Sequence, residues 1–124
     1  MVYSIIKGSR RFNEVMSYKI YHSQTFDKQL ARFPKQFQSW LDKIEDQLEE
    51  KPSYVGDQLR VPWFREKKHD KFRVYYLIYE DLKAVYLVAI SDKKDQQRII
   101  NTIFLLLDNF EQEIKELIKN DKAT

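Results

Sequence analysis

Lys71-Phe72-Arg73-Val74-Tyr75-Tyr76-Leu77-Ile78-Tyr79 is the stretch on which the fold of this chain turns. It is rich in β-branched and aromatic residues and alternates with a period of two. Phe72, Val74, Tyr76 and Ile78 point one way; Lys71, Arg73, Tyr75 and Leu77 point the other. Glu80-Asp81 then turns the chain, and Ala84 to Ile90 (AVYLVAI) returns as a buried central strand. Upstream, Leu59 to Arg65 reads as a strand despite Pro62, which places it at an edge or a bulge, and His69-Asp70 makes the turn between them. Three antiparallel strands in succession are expected.

Outside this sheet the period changes. Ser17 to Ser23 alternates and suits a first strand, after which Thr25 can cap a helix beginning near Phe26. Phe26, Leu30 and Phe33 recur at helical spacing until Pro34 forces a break. A second helix carries Phe37, Trp40, Leu41, Ile44 and Leu48 on one stripe, with Lys43, Glu45, Asp46 and Glu49 facing water, and Pro52 and Gly56 end it. So short a corner folds the two helices into a hairpin. From Gln96 the stripe Ile99, Ile100, Ile103, Phe104, Leu107, Phe110, Ile114, Leu117 spans about six turns and predicts one long helix over 96–120. The expected architecture is α+β: a small antiparallel sheet of one N-terminal and three C-terminal strands, an N-terminal helix hairpin and a long C-terminal helix. One domain over 1–124 is expected, with a basic extension at 1–16 (Lys7, Arg10, Arg11), a core at 17–95 and the helix at 96–120.

Composition narrows the chemistry. The 124 residues are 43% hydrophobic and 15% aromatic, enough for a packed core, and no cysteine offers a disulfide or thiolate ligand. The longest apolar runs fall far short of the roughly 20 residues a membrane span needs, so a cytoplasmic protein without a membrane partner is expected. His22 and His69, the two histidines, lie in different elements and have no carboxylates at metal-ligand spacing, so no metal or other cofactor is expected. Gly8 and Gly56 alone cannot build a phosphate-cradling loop, and Ser91-Asp92 reads as a turn rather than part of a hydrolase triad. Net charge is only +3, but it is unevenly spread. Residues 57–76 hold six basic against three acidic side chains, whereas residues 108–122 hold five acids against three lysines. A basic middle and an acidic tail suit a phosphate-facing surface.

From Phe26 to about Thr102 the chain resembles the RelE/ParE toxin superfamily, which includes the HigB-like and archaeal RelE-like toxins. The resemblance rests on the Arg32-Phe33-Pro34-Lys35 corner, a second helix closing near Pro52, and a Gly56-x-x-Leu59 step into the sheet. It rests also on the Phe72-Arg73-Val74 strand, and on Val85 to Ile90 followed by Ser91-Asp92-Lys93-Lys94-Asp95. It implies the toxin of a toxin–antitoxin pair, held silent by a cognate antitoxin protein. The RelE branch cleaves mRNA, usually on the ribosome; the ParE branch acts on DNA gyrase without nuclease chemistry. An inactivated relative serving as a binding module is the third reading.

Metal-free RNA cleavage needs a base for the 2′-hydroxyl, cations for the pentacoordinate phosphate and an acid for the leaving oxygen. The resemblance assigns Arg73 to the scissile phosphate, a task its planar fork suits. It places Arg65, Lys67 and Lys94 beside Arg73 as catalytic cations, with Lys68 and Lys93 as RNA-binding neighbours. Lys71 and His69 join the RNA-binding set from the residues themselves, His69 being either a base, a role imidazole can play near neutral pH, or a polar turn tip. The chain departs from the family in two ways. Ile99 and Ile100 stand where several RelE-type enzymes carry tyrosine or histidine, and Lys94 stands near a second arginine. The nuclease reading predicts that Arg73, Arg65 or Lys67, and Lys94 converge on one concave sheet face; the ParE-like reading tolerates their scatter and places the effect on the surface of the C-terminal helix. The tyrosines Tyr75, Tyr76, Tyr79 and Tyr86 are candidates for base stacking, half of them core by alternation. The C-terminal half of the last helix, around Phe110, Ile114 and Leu117, either covers the domain's own core or makes an antitoxin or homodimer contact.

Overall fold

The computed structural model describes residues 17–123; the extension expected at 1–16 lies outside the described residues. The chain runs β1 (Lys19–His22), α1 (Gln24–Leu30), α2 (Lys35–Glu50), a 3-10 turn (Pro52–Tyr54), β2 (Asp57–Leu59), β3 (Val61–His69), β4 (Phe72–Tyr79), β5 (Ala84–Asp92), α3 (Gln96–Leu105) and α4 (Leu107–Ala123). The α+β class stands, with two corrections to the sheet. It has five strands in the order β1-β5-β4-β3-β2, and β1 joins β5 in parallel, from Lys19 opposite Ala84 to His22 opposite Leu87. A parallel neighbour needs a crossover, and the helix hairpin with the remaining strands supplies it. The fifth strand arises because the strand expected over 59–65 is split at Arg60. That residue takes a left-handed φ of 64°, and the register shifts between Gln58 and Leu59. β3 then continues to His69, so the tight turn is Asp70-Lys71, with Asp70 at φ 54°.

Ser23, not Thr25, caps α1. Its hydroxyl accepts from the Phe26 amide at 3.0 Å and donates to the Val88 carbonyl at 3.0 Å, so one side chain starts the helix and ties it to β5. The hairpin lays Phe26, Phe37, Leu41, Ile44 and Leu48 on one sheet face, against Val74, Tyr76, Val85 and Leu87. The other face carries Phe64, Tyr75, Leu77 and Tyr86 beneath Ile100, Ile103 and Ile114. β4 and β5 are therefore apolar on both sides, as strands sandwiched between helical layers must be.

The long helix expected over 96–120 is broken at Leu106, where the backbone leaves helical values (φ −106°, ψ 13°) and the Leu106 amide bonds back only to Ile103. The break lets one apolar stripe follow a twisted sheet. α3 sits over β5, and α4 swings back toward β1, where Asp121 accepts from Lys19 Nζ at 2.7 Å and Tyr21 Oη at 3.0 Å. Ile114 is fully buried in the chain's own core, and the corner leaves Leu105 84% exposed.

Candidate functional site

The Asp70-Lys71 turn fixes what surrounds Arg73. Counting back from it, Lys68 lies directly opposite Arg73 on β3, and on the other flank Arg73 faces Ser91 of β5. All three share the sheet face covered by α3 and α4. Arg73 is 7% exposed and Glu66, two residues from Lys68 on the same face, is 5% exposed. Arg73 Nε lies 4.0 Å from Glu66 Oε1 and has no hydrogen-bond partner of its own; Nη1 reaches the Lys71 carbonyl at 3.4 Å. Gln96, first residue of α3, donates from Nε2 to both Glu66 oxygens at 3.0 and 3.2 Å. Beside this group Tyr75 Oη and Ser91 Oγ are 2.8 Å apart, and Ser91 Oγ donates to the Asp92 carbonyl at 2.9 Å. Burial raises the Tyr75 phenol above its ordinary pKa, and the bond with Ser91 offsets only part of this. Asp92 Oδ1 accepts from the Asp95 amide at 3.0 Å, which seats the start of α3 on the end of β5.

The expected cations divide between two faces. Lys68 shares the Arg73 face, and the exposed Lys93 and Lys94 stand at the same end of the sheet, between β5 and α3. Lys71 is in the turn, its Nζ 5.4 Å above the Phe72 ring. Arg65, Lys67 and His69 alternate onto the hairpin face, opposite Tyr76, Val74 and Phe72. There Arg65 donates to the Gly56 carbonyl at 2.8 and 3.2 Å and to the Pro62 carbonyl at 2.9 Å. His69 stacks on Trp40 at 4.3 Å with 22° between rings. Arg73 therefore does not converge with Arg65 and Lys67: the period of two that makes β3 a strand separates them.

Glu66, Gln96 and the Tyr75–Ser91 pair were missed from the sequence. Glu66 had a signal. Once a two-residue turn pairs Lys68 with Arg73, every second residue of β3 falls on that face. Gln96 had none, since its reach depends on how α3 docks. Among the described residues no cluster of histidine and carboxylate side chains could hold a metal. A cleft of about 760 Å³ opens between α1, β5, α3 and α4, lined among others by Ser23, Gln29, Tyr86, Ile103 and Phe110. None of the candidate cations lines it.

This chain, a five-stranded mixed sheet with helices on both faces, has the RelE-like fold of its solved structural neighbours. Among solved structures the chain is similar to the isolated Escherichia coli RelE toxin (13% identity, TM-score 0.55), covering 69% of this chain and 98% of that one. It is similar also to the Mycobacterium tuberculosis toxin–antitoxin complex RelBE2 (18%, TM-score 0.55; 62% and 92% covered). A third is the archaeal RelE–RelB complex of Pyrococcus horikoshii OT3 (15%, TM-score 0.51; 61% and 94% covered). No protein-family model and no curated protein matches the sequence. At these identities the likeness establishes the fold.

Proposed function

We propose that this chain is the toxin of a toxin–antitoxin pair and a metal-independent endoribonuclease acting on mRNA at the ribosome, in the cytoplasm, silenced by a cognate antitoxin. The observation that carries this reading is Arg73: a buried guanidinium with a free Nε, opposite Lys68 and at the lysine-bearing end of the sheet. A guanidinium left without a full set of partners is a receptor for an oxyanion. In the proposed reaction Glu66 takes the proton of a ribose 2′-hydroxyl. The 2′-oxygen forms a bond to the adjacent phosphorus, the bond from phosphorus to the 5′-oxygen breaks, and Lys68 protonates the departing oxygen. Arg73 holds the charge that builds on the phosphoryl oxygens. RNA reaches this group only when the first turn of α3, pinned by Gln96 to Glu66, lifts from the sheet. Lys93 and Lys94, on the connection that would hinge, are placed to meet the incoming strand.

The burial of Arg73 and Glu66, and the placement of Arg65 and Lys67 on the opposite sheet face, favour a second reading, a ParE-like or inactivated protein that binds a target and does no chemistry, such as one acting on DNA gyrase. Induced expression with primer-extension mapping of mRNA separates the two. New cleavage ends that vanish in Arg73→Lys and Glu66→Gln support the nuclease; growth arrest without new ends refutes it.

A further inference from the structure

The basic residues that the register removes from Arg73 meet on the other side of the sheet. Arg65, Lys67 and His69 alternate along β3 on the hairpin face, each partly exposed. α2 lies alongside. Its Trp40 stacks on His69, and its far end leads through Pro52, whose carbonyl accepts from Tyr76 Oη at 2.7 Å, to Gly56, the acceptor for Arg65. The helix thus follows β3 from His69 to Arg65, and the strip between the two is bordered by exposed side chains of α2 and by the partly exposed Arg65, Lys67 and His69.

Helical geometry decides which side chains of α2 line it. At 3.6 residues per turn, Lys43, Gln47 and the capping Lys51 follow Trp40 down this flank, and all three are exposed. Asp42, Glu45 and Glu49 fall on the opposite flank, where Glu45 Oε2 is 2.6 Å from His22 Nε2. Glu50 is the one acid of the helix within a quarter turn of Trp40. Lys43, Gln47 and Lys51 thus lie toward β3, with Glu50 beside Lys43 and Asp46 facing outward between the two flanks. Lys43 on one side and Arg65 and Lys67 on the other border the groove, with Lys51 Nζ 5.7 Å over the Tyr54 ring beyond its far end and a stacked aromatic pair closing the near end.

We propose that this α2–β3 groove binds a single-stranded segment of RNA, on the face away from Arg73. Phosphates run along Lys43, Lys67 and Arg65, and a base stacks against the Trp40–His69 pair. Cations tracking a backbone toward an aromatic platform are how proteins hold single strands. An acidic peptide would use the cations and leave the platform idle. The inference rests on the reading that RNA is the target, and it gives the protein a second hold on that RNA.

The test uses the full chain and a short fluorescein-labelled 2′-O-methyl oligonucleotide, whose blocked hydroxyl prevents cleavage, so binding is read independently of nuclease activity. Fluorescence anisotropy of Lys43→Gln/Lys67→Gln should show a Kd raised about tenfold and a salt slope smaller by about 1.4, the loss of two phosphate contacts on a single strand. In Trp63→Phe, which leaves Trp40 as the single tryptophan, the oligonucleotide should quench the emission. An affinity within about twofold of the parent in the double variant, an unquenched Trp40, or equal competition by polyglutamate overturns the proposal. So does a loss in Arg73→Lys as large as that in the double variant, because binding would then belong to the other face. Cleavage with no groove binding would overturn this inference alone; groove binding with no cleavage would overturn the nuclease alone.

Discussion

Replacing Arg73 with methionine separates its part in the fold from its part in chemistry. The side chains of Arg73 and Glu66 are 9% and 6% exposed, with 4.0 Å between Nε and Oε1. At an effective dielectric near 20, that separation corresponds to about 4 kcal/mol of attraction between unit charges. Methionine fills much of the arginine volume but leaves Glu66 buried with only the Gln96 amide as partner. Breaking a buried pair from one side costs about 3–5 kcal/mol, and the two Gln96 bonds place Arg73→Met at the lower end, about 3 kcal/mol. For a chain of this size that lowers Tm by about 12 °C. Adding Glu66→Gln removes the stranded charge, so the double variant should recover about 2 kcal/mol relative to the sum of the single variants. The assay is urea and thermal unfolding of the parent, the two single variants and the double variant. Additive single variants, or an Arg73→Met Tm within about 2 °C of the parent, would refute the view that the two charges are coupled.

Two further outcomes follow from the geometry. His22 lies between Asp27 Oδ1 at 2.8 Å and Glu45 Oε2 at 2.6 Å; burial alone would lower its pKa, and the two carboxylates more than reverse that. Since the folded value is raised, its stabilisation is complete below the unfolded pKa of about 6.5 and fades as pH climbs through the folded value. The urea midpoint of the parent should drop across that window while that of His22→Ala stays flat. Gly56→Ala would put a Cβ 2.3 Å from the Glu66 carbonyl oxygen, a backbone atom of the hydrogen-bonded β3 that cannot simply rotate away. A loss of about 1–3 kcal/mol is expected from thermal melts; a neutral substitution would mean that β2 can slide along β3.

The parts of the fold that the chain spells locally were legible. The alternation in Phe72–Tyr79, the Pro34 corner and the stripe of α2 each report one element through its own period. What depended on distant partners was not. β1 reads as a strand, but nothing in residues 19–22 says that its neighbour is β5 or that they run parallel. Thr25 and Ser23 are equivalent caps on paper; the carbonyl of Val88 decides for Ser23. The stripe from Ile99 to Leu117 could not disclose the break at Leu106, because a bent helix and a straight one bury the same spacing. For the site, residue type picked out Arg73 and Lys68. Clustering by sequence placed Arg65 and Lys67 with them, where strand geometry sends neighbours to opposite faces.

The parallel pairing of β1 with β5 has a consequence for how the chain is made. Lys19 lies opposite Ala84, so β1 leaves the ribosome 65 residues before its partner exists. At about 5–20 residues per second this is a wait of roughly 3–13 s, and Asp121, which fastens β1 to α4, comes later still. During that interval the hairpin can form from its own local contacts, while β5, whose Val88 carbonyl accepts from Ser23, is still missing or incomplete. Among the described elements β1 is thus the first made and among the last secured, between β5 and α4. A partner arriving during synthesis would meet the sheet before its edge is closed.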